Sequence, residues 1–123
     1  MANVFLFAGS IFGGLGVMIG AFGAHKLKPY LIEIGRLDVF ETGVKYQFYH
    51  AFALLIVGLL LSKTDNKLLH YAGYSFIAGI IIFSGSLYTL CLTNVGKWGA
   101  ITPIGGLFMI AGWGLLASTF LNK

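Results

Sequence analysis

Histidine is the side chain here best suited to chemistry near neutral pH, because its charge changes in that range, and the chain has three. His25 and His70 stand at the ends of apolar runs, beside Lys26 and close to Lys67. Those are the positions of interfacial polar anchors. His50 is different. It lies within an apolar stretch, with Tyr46 and Gln47 four and three residues before it, a spacing that puts all three on one helix face. Ser84 and Tyr88 are also four apart, with Ser86 and Thr89 at a similar level. Tyr46, Gln47, His50, Ser84 and Tyr88 therefore form a candidate polar pocket. Its chemistry is either a structural hydrogen-bond network or the binding of a small ligand, ion or proton. His25, Glu41 and Lys45 make a second, interfacial polar set.

No catalytic pattern accompanies these groups. The chain has no G-x-S-x-G, H-E-x-x-H or Walker loop, the motifs that carry nucleophilic, metal-assisted or phosphate chemistry. The pairs Gly13-Gly14 and Gly105-Gly106 lie inside apolar runs, not between a strand and a helix. Cys91 and the scattered histidines lack zinc-ligand spacing. No acid stands deep inside an apolar run, which argues against carriers built on paired carboxylates. The expectation is a non-enzymatic protein with no metal and no cofactor.

The elements that must position these residues follow from composition. Of 123 residues, 58% are apolar and 10% charged, against about a quarter charged in soluble domains. Mean hydropathy is +0.88. A chain this short has too few polar residues to clothe a core in water. An ordinary globular enzyme and a disordered chain are excluded. So is a nucleic-acid binder, because the net charge of +4 is spread over linkers rather than massed on one face. The expected partners are membrane lipids. A single cysteine leaves no disulfide within the chain.

Four apolar runs, at about 3–24, 39–61, 67–92 and 103–120, are each long enough to approach or cross a hydrocarbon core of about 30 Å. In lipid every backbone polar group must be paired inside its own segment, so helices follow. The expected fold is an all-α membrane protein, a bundle of four transmembrane helices with an amphipathic interfacial segment between spans one and two. The whole chain, 1–123, is read as one domain. A cleaved signal peptide is the rival reading of the first run, but no Lys or Arg precedes it and it is too long. Asp38 and Glu41 fit a capping box, and Glu41 and Lys45 fit an ion pair in the favourable order. Thr102 fits an N-cap and Pro103 the first helical position. Lys67 snorkels, Trp98 anchors at the interface, and Lys123 is placed to meet the negative end of the last helix. Lys26, Lys28, Arg36, Lys45 and Lys97 lie on one side of such a bundle, and Lys63, Lys67 and Lys123 on the other. That balance favours both termini outside the cell.

There are 18 glycines. Small residues in membrane helices permit close backbone approach. Gly9 and Gly13, then Gly16 and Gly20, recur at four-residue spacing, as do Ser75 and Gly79 and then Gly114 and Ser118. These faces serve either packing within one bundle or association with another copy as a homo-oligomer.

Several motifs occur in order: Gly-Ala-Phe-Gly-Ala-His at 20–25, Phe-Glu-Thr-Gly-Val-Lys-Tyr-Gln-Phe-Tyr-His-Ala at 40–51, Phe-Ser-Gly-Ser-Leu-Tyr at 83–88, Gly-Ala-Ile-Thr-Pro-Ile-Gly-Gly at 99–106, and Ala-Gly-Trp at 111–113. Together they resemble the bacterial domain-of-unknown-function 423 family of YgdD-like small membrane proteins, over essentially the whole chain. A similar pattern occurs in a small eukaryotic transmembrane family. The resemblance implies a four-span helical protein of the plasma membrane. It brings no reaction or substrate. It marks His25, Glu41, Tyr46, Gln47, His50, Ser86, Tyr88, Thr102 and Pro103 as positions to test. The linker from Pro29 to Leu37 is more apolar than the resemblance leads one to expect. The expected function is thus a structural or partner-binding bundle, with a small transporter or channel around His50 as the alternative.

Overall fold

The computed structural model describes residues 1–121, so the expectation for Lys123 lies outside the described residues. Six α-helices follow one another: α1 (Ala2–His25), α2 (Lys28–Glu33), α3 (Leu37–Leu61), α4 (Lys67–Gly79), α5 (Gly85–Thr93) and α6 (Thr102–Ser118). A π-helical turn, Ile80–Ser84, joins α4 to α5 without a break, and a 3-10 turn, Gly96–Ala100, leads into α6. Four segments are long and apolar enough to cross a membrane: Ala2–His25, Leu37–Leu61, Lys67–Thr93 and Gly96–Ser118.

α3 and the α4–α5 rod form the inside of the bundle. α1 packs chiefly on α3 and α6 on α4. Phe5 of α1 is fully buried and meets Tyr74 of α4 edge-on, ring centroids 5.2 Å apart. Because lipid is as apolar as leucine, such packing, rather than escape from water, holds membrane helices together. The glycines of α1 serve it within the chain. A Cβ at Gly9 would stand 2.9 Å from the Ala51 carbonyl oxygen, one at Gly16 3.0 Å from the Phe48 ring, and one at Gly20 3.4 Å from Val44. Gly13 does not take part, since a Cβ there meets nothing within 4 Å. The tight contacts recur at Gly9, Gly16 and Gly23, the last against Phe40. Seven residues make close to two helical turns, so that period, not four, keeps one edge of α1 on α3.

Two expected helix starts are corrected. α3 begins at Leu37 with Arg36 before it and no side-chain cap, and Asp38 sits inside the first turn. Among the described residues its carboxylate accepts only the neighbouring Val39 N–H, at 3.0 Å. Gly35, with φ +71, turns the chain so that the capping position falls on Arg36, two residues too early for the capping box. α6 begins with Thr102 already helical and Ile101 in the capping position. By contrast Asn66 does cap α4, its side chain accepting from Leu68 N–H at 2.8 Å.

The apolar linker has a packing reason. Leu31 of α2 is fully buried, with Tyr30, Ile34 and Leu37 packed around it. The Tyr30 hydroxyl donates to the Cys91 carbonyl at 3.0 Å, which is one of the carbonyls α5 leaves unpaired at its end. Arg36 Nε donates to Asn94 Oδ1 at 3.2 Å. α2 is thereby fixed as a lid on one end of the bundle.

Candidate functional site

The five residues of the candidate pocket do not form one cluster. They divide between two faces of α3. Gln47 is 3% exposed and faces α1 and α5. Its Nε2 donates to the Phe12 carbonyl at 2.7 Å, and its Oε1 accepts from the Tyr88 hydroxyl at 2.6 Å. Three helices are tied at one level by one amide. Ser84 Oγ donates to the Gly43 carbonyl at 2.7 Å. Ser86 and Thr102 hydroxyls lie 2.6 Å apart, linking α5 to α6, which is where Thr102 spends the group expected to cap. Among the described residues no buried side-chain nitrogen or oxygen lacks a partner, as a solvent with no hydrogen bonds of its own demands.

His50 meets neither Ser84 nor Tyr88 by a hydrogen bond. Its Nδ1 lies 2.7 Å from the Tyr46 carbonyl, and the Trp113 indole Nε1 donates to its Nε2 at 3.0 Å. A carbonyl only accepts and an indole N–H only donates. The two contacts together specify a neutral imidazole with its hydrogen on Nδ1. Aromatic rings surround the pair. Tyr46 stacks on Phe83 at 4.8 Å and on His50 at 6.1 Å, and Phe76 meets Trp113 edge-on at 5.1 Å. Trp113, marked in the sequence only by the Ala-Gly-Trp motif, is the partner the structure gives His50. Its signal was position: a tryptophan well inside an apolar span, where its N–H needs a partner, rather than at the interface.

His50 and Trp113 stand in the wall of a groove of about 790 Å³ between α3 and α6. Tyr46, Phe52, Ile56, Phe83 and Ile110 line the rest of it, and Gly106 leaves it open on the α6 side. The volume suits a small-molecule site. Tyr49, Phe52, Ile56 and Ile110 are all exposed, so the groove opens sideways toward lipid. Among the described residues no three His, Cys, Asp or Glu side chains converge to hold a metal ion.

The interfacial set is also divided. Glu41 and Lys45 line a notch of about 300 Å³ between α1 and α3, together with Lys28, Gly20, Gly23 and Phe40. His25 is exposed and is not among its lining residues. The expected Glu41–Lys45 ion pair is not formed. Among the described residues the one close pair is His70 Nε2 with Asp65 Oδ1, at 2.8 Å. Side chains in water satisfy themselves at small cost, so an exposed pair four apart gains little by closing.

Residues 19–106 match the family described as a protein of unknown function, DUF423. The chain is 44% identical to a UPF0382 membrane protein of Staphylococcus haemolyticus, over 96% of each chain. It is 43% identical to the UPF0382 membrane protein YwdK of Bacillus subtilis, over 90% of each. With the UPF0382 inner membrane protein YgdD of Escherichia coli it shares 34% identity, over 87% of this chain and 81% of that one. No solved structure matches it.

Proposed function

From the premise that the chain belongs to the DUF423 family of multi-pass membrane proteins, we propose that it is a non-enzymatic binding protein of the bilayer. Its ligand is the hydrocarbon chain of a membrane lipid, held sideways in the groove between α3 and α6. The observation that carries this reading is a groove open to lipid, lined by aromatic and aliphatic side chains, in which His50 and Trp113 are bonded to each other and the Tyr46 and Tyr49 hydroxyls are the remaining polar side-chain groups. Such a surface offers chiefly van der Waals contact, which suits a hydrocarbon chain. A transporter or channel around His50 needs polar groups along a shared path. Gln47, Ser84 and Tyr88 instead bond into the opposite side of the bundle, which favours the binding role. The same reading places the protein in the cell membrane with residues 25–45 in the cytoplasm and both termini outside, from the balance of basic residues. It assigns Gly9, Gly16, Gly20 and Gly23 of α1 to the fold rather than to a second copy.

Gly106 provides the test. A Cβ there would be 3.8 Å from the Phe83 ring, ordinary contact, so Gly106→Leu fills the groove without displacing a helix. Trp98→Phe leaves Trp113 as the only indole. In bilayers doped with mid-chain brominated phospholipid, Trp113 fluorescence is expected to be quenched at mole fractions below those that quench a freely lipid-facing indole. Adding Gly106→Leu is expected to move the curve to that of bulk lipid. Superimposable curves with and without the leucine would overturn the reading, and a loss of quenching accompanied by copy–copy crosslinks would assign the groove to a second chain.

A further inference from the structure

The notch between α1 and α3 carries charge where the groove does not. Lys28, Glu41 and Lys45 line it above a floor made by Gly20, Gly23 and Phe40. All three charged residues are exposed, and among the described residues none is held in an ion pair. Lys28 does not wander far, because α2 is fixed by buried Leu31 and by the Tyr30–Cys91 hydrogen bond. Two ammonium groups on separate helices thus flank an apolar-floored recess at the membrane surface. Basic pockets between helices at that level suit phosphate-bearing headgroups.

The notch and the groove are joined along α3. Lys45, Tyr49, Phe52 and Ile56 are exposed residues at spacings of four, three and four, which puts them on one helix face. Lys45 lines the notch, and Tyr49, Phe52 and Ile56 line the groove. From Lys45 to Ile56 the helix rises about 16 Å, close to the depth of one leaflet of a core about 30 Å thick. A headgroup in the notch therefore has its chain beside the groove, and the chain runs out where the groove does.

We infer that the notch is the headgroup half of a single phospholipid site: Lys28 and Lys45 clasp the phosphate of an anionic glycerophospholipid, Glu41 accepts from a headgroup hydroxyl, and one acyl chain follows α3 into the groove. The chain half rests on the binding role proposed above. The headgroup half is measured separately, as a ratio.

Native mass spectrometry of the detergent-purified full chain, with phosphatidylglycerol or diacylglycerol of matched chains added, reads that ratio. Phosphatidylglycerol is expected to be retained at least about tenfold better than diacylglycerol, the equivalent of about 1.4 kcal/mol. Lys28→Gln with Lys45→Gln is expected to erase the preference while leaving diacylglycerol retention and its sensitivity to Gly106→Leu unchanged. Equal retention of the two lipids by the natural chain, or a preference that survives both glutamines, would overturn the clasp. Displacement of phosphatidylglycerol by millimolar glycerophosphate alone would assign the notch to a soluble phosphate instead of a lipid. Insensitivity of diacylglycerol retention to Gly106→Leu would overturn the groove reading and leave the ratio to decide the headgroup. Both lysines are exposed and outside the packed core, so the glutamine variants fold as the natural chain does.

Discussion

Gly105→Ala is expected to unseat α6 from the third span. A Cβ at Gly105 would stand 2.7 Å from the Phe83 Cα and closer still to its backbone nitrogen. A ring can rotate away from an added methyl group, as Phe40 can beside Gly23. A backbone cannot, so the helices must separate. Overpacking costs typically about 1–3 kcal/mol, sometimes more, and a contact with main chain belongs at or above the top of that range. The effect spreads, because the same seam holds Met109 against Gly79 and the Ser86–Thr102 hydrogen bond. Unfolding in mixed micelles of rising SDS fraction measures it. Gly114→Ala is the matched control, since nothing lies within 4 Å of a Cβ there. It is expected to be neutral or to gain up to about 1 kcal/mol from helix propensity. Equal midpoints for the two variants would contradict the observed seam.

The second large effect is expected at His50, and its size should come from packing more than from the hydrogen bond. His50→Ala removes a ring in contact with Tyr46, Phe76 and Trp113 and leaves the indole N–H without its acceptor. Core truncations of aromatic rings in soluble proteins cost about 3–5 kcal/mol. Part of that is transfer from water, which a bilayer does not supply. A cost of about 2–3 kcal/mol remains. Trp113→Phe removes the hydrogen bond and keeps most of the ring. Side-chain hydrogen bonds between membrane helices average about 0.6 kcal/mol and reach about 1.7, so this variant is expected to lose well under half as much. The same SDS titration compares them. A His50→Ala variant as stable as the natural chain would mean that His50 serves a ligand and not the bundle.

Much of the architecture is legible in the residues. The four spans and their turns follow from runs nearly free of charge, broken by residues 25–38, by Lys63 to Asn66 and by Asn94 to Gly99, which a bilayer accepts as helices with every backbone group paired. Membership of the family follows from motifs in order. What the residues alone could not give is partnership. Tyr46, Gln47 and His50 do share a helical neighbourhood, but positions three or four apart still differ by tens of degrees around the axis, enough for Gln47 to face α1 while His50 faces α6. Four-residue spacing picks out Gly9, Gly13, Gly16 and Gly20, whereas the tightly packed edge repeats at seven and takes in Gly23 but not Gly13. The π turn carries no strong local signature beyond the flanking Gly79 and Gly85. It reflects how the third span meets Gly43 and Gly105 at once, a tertiary demand. Asp38 fits a cap by type and Thr102 does too, but Gly35 and the Ser86 hydroxyl decide where those side chains are used.

The claim on which the proposed binding role stands is that His50 and Trp113, at bilayer depth, are spent on each other. Solid-state nitrogen NMR of histidine-labelled protein in bilayers tests it most directly, with His25→Gln and His70→Gln isolating His50. The expected spectrum shows a neutral imidazole, protonated at Nδ1, with Nε2 as an acceptor whose shift changes on Trp113→Phe. A hydrogen on Nε2, or an Nε2 signal that exchanges with water and ignores Trp113→Phe, would contradict it.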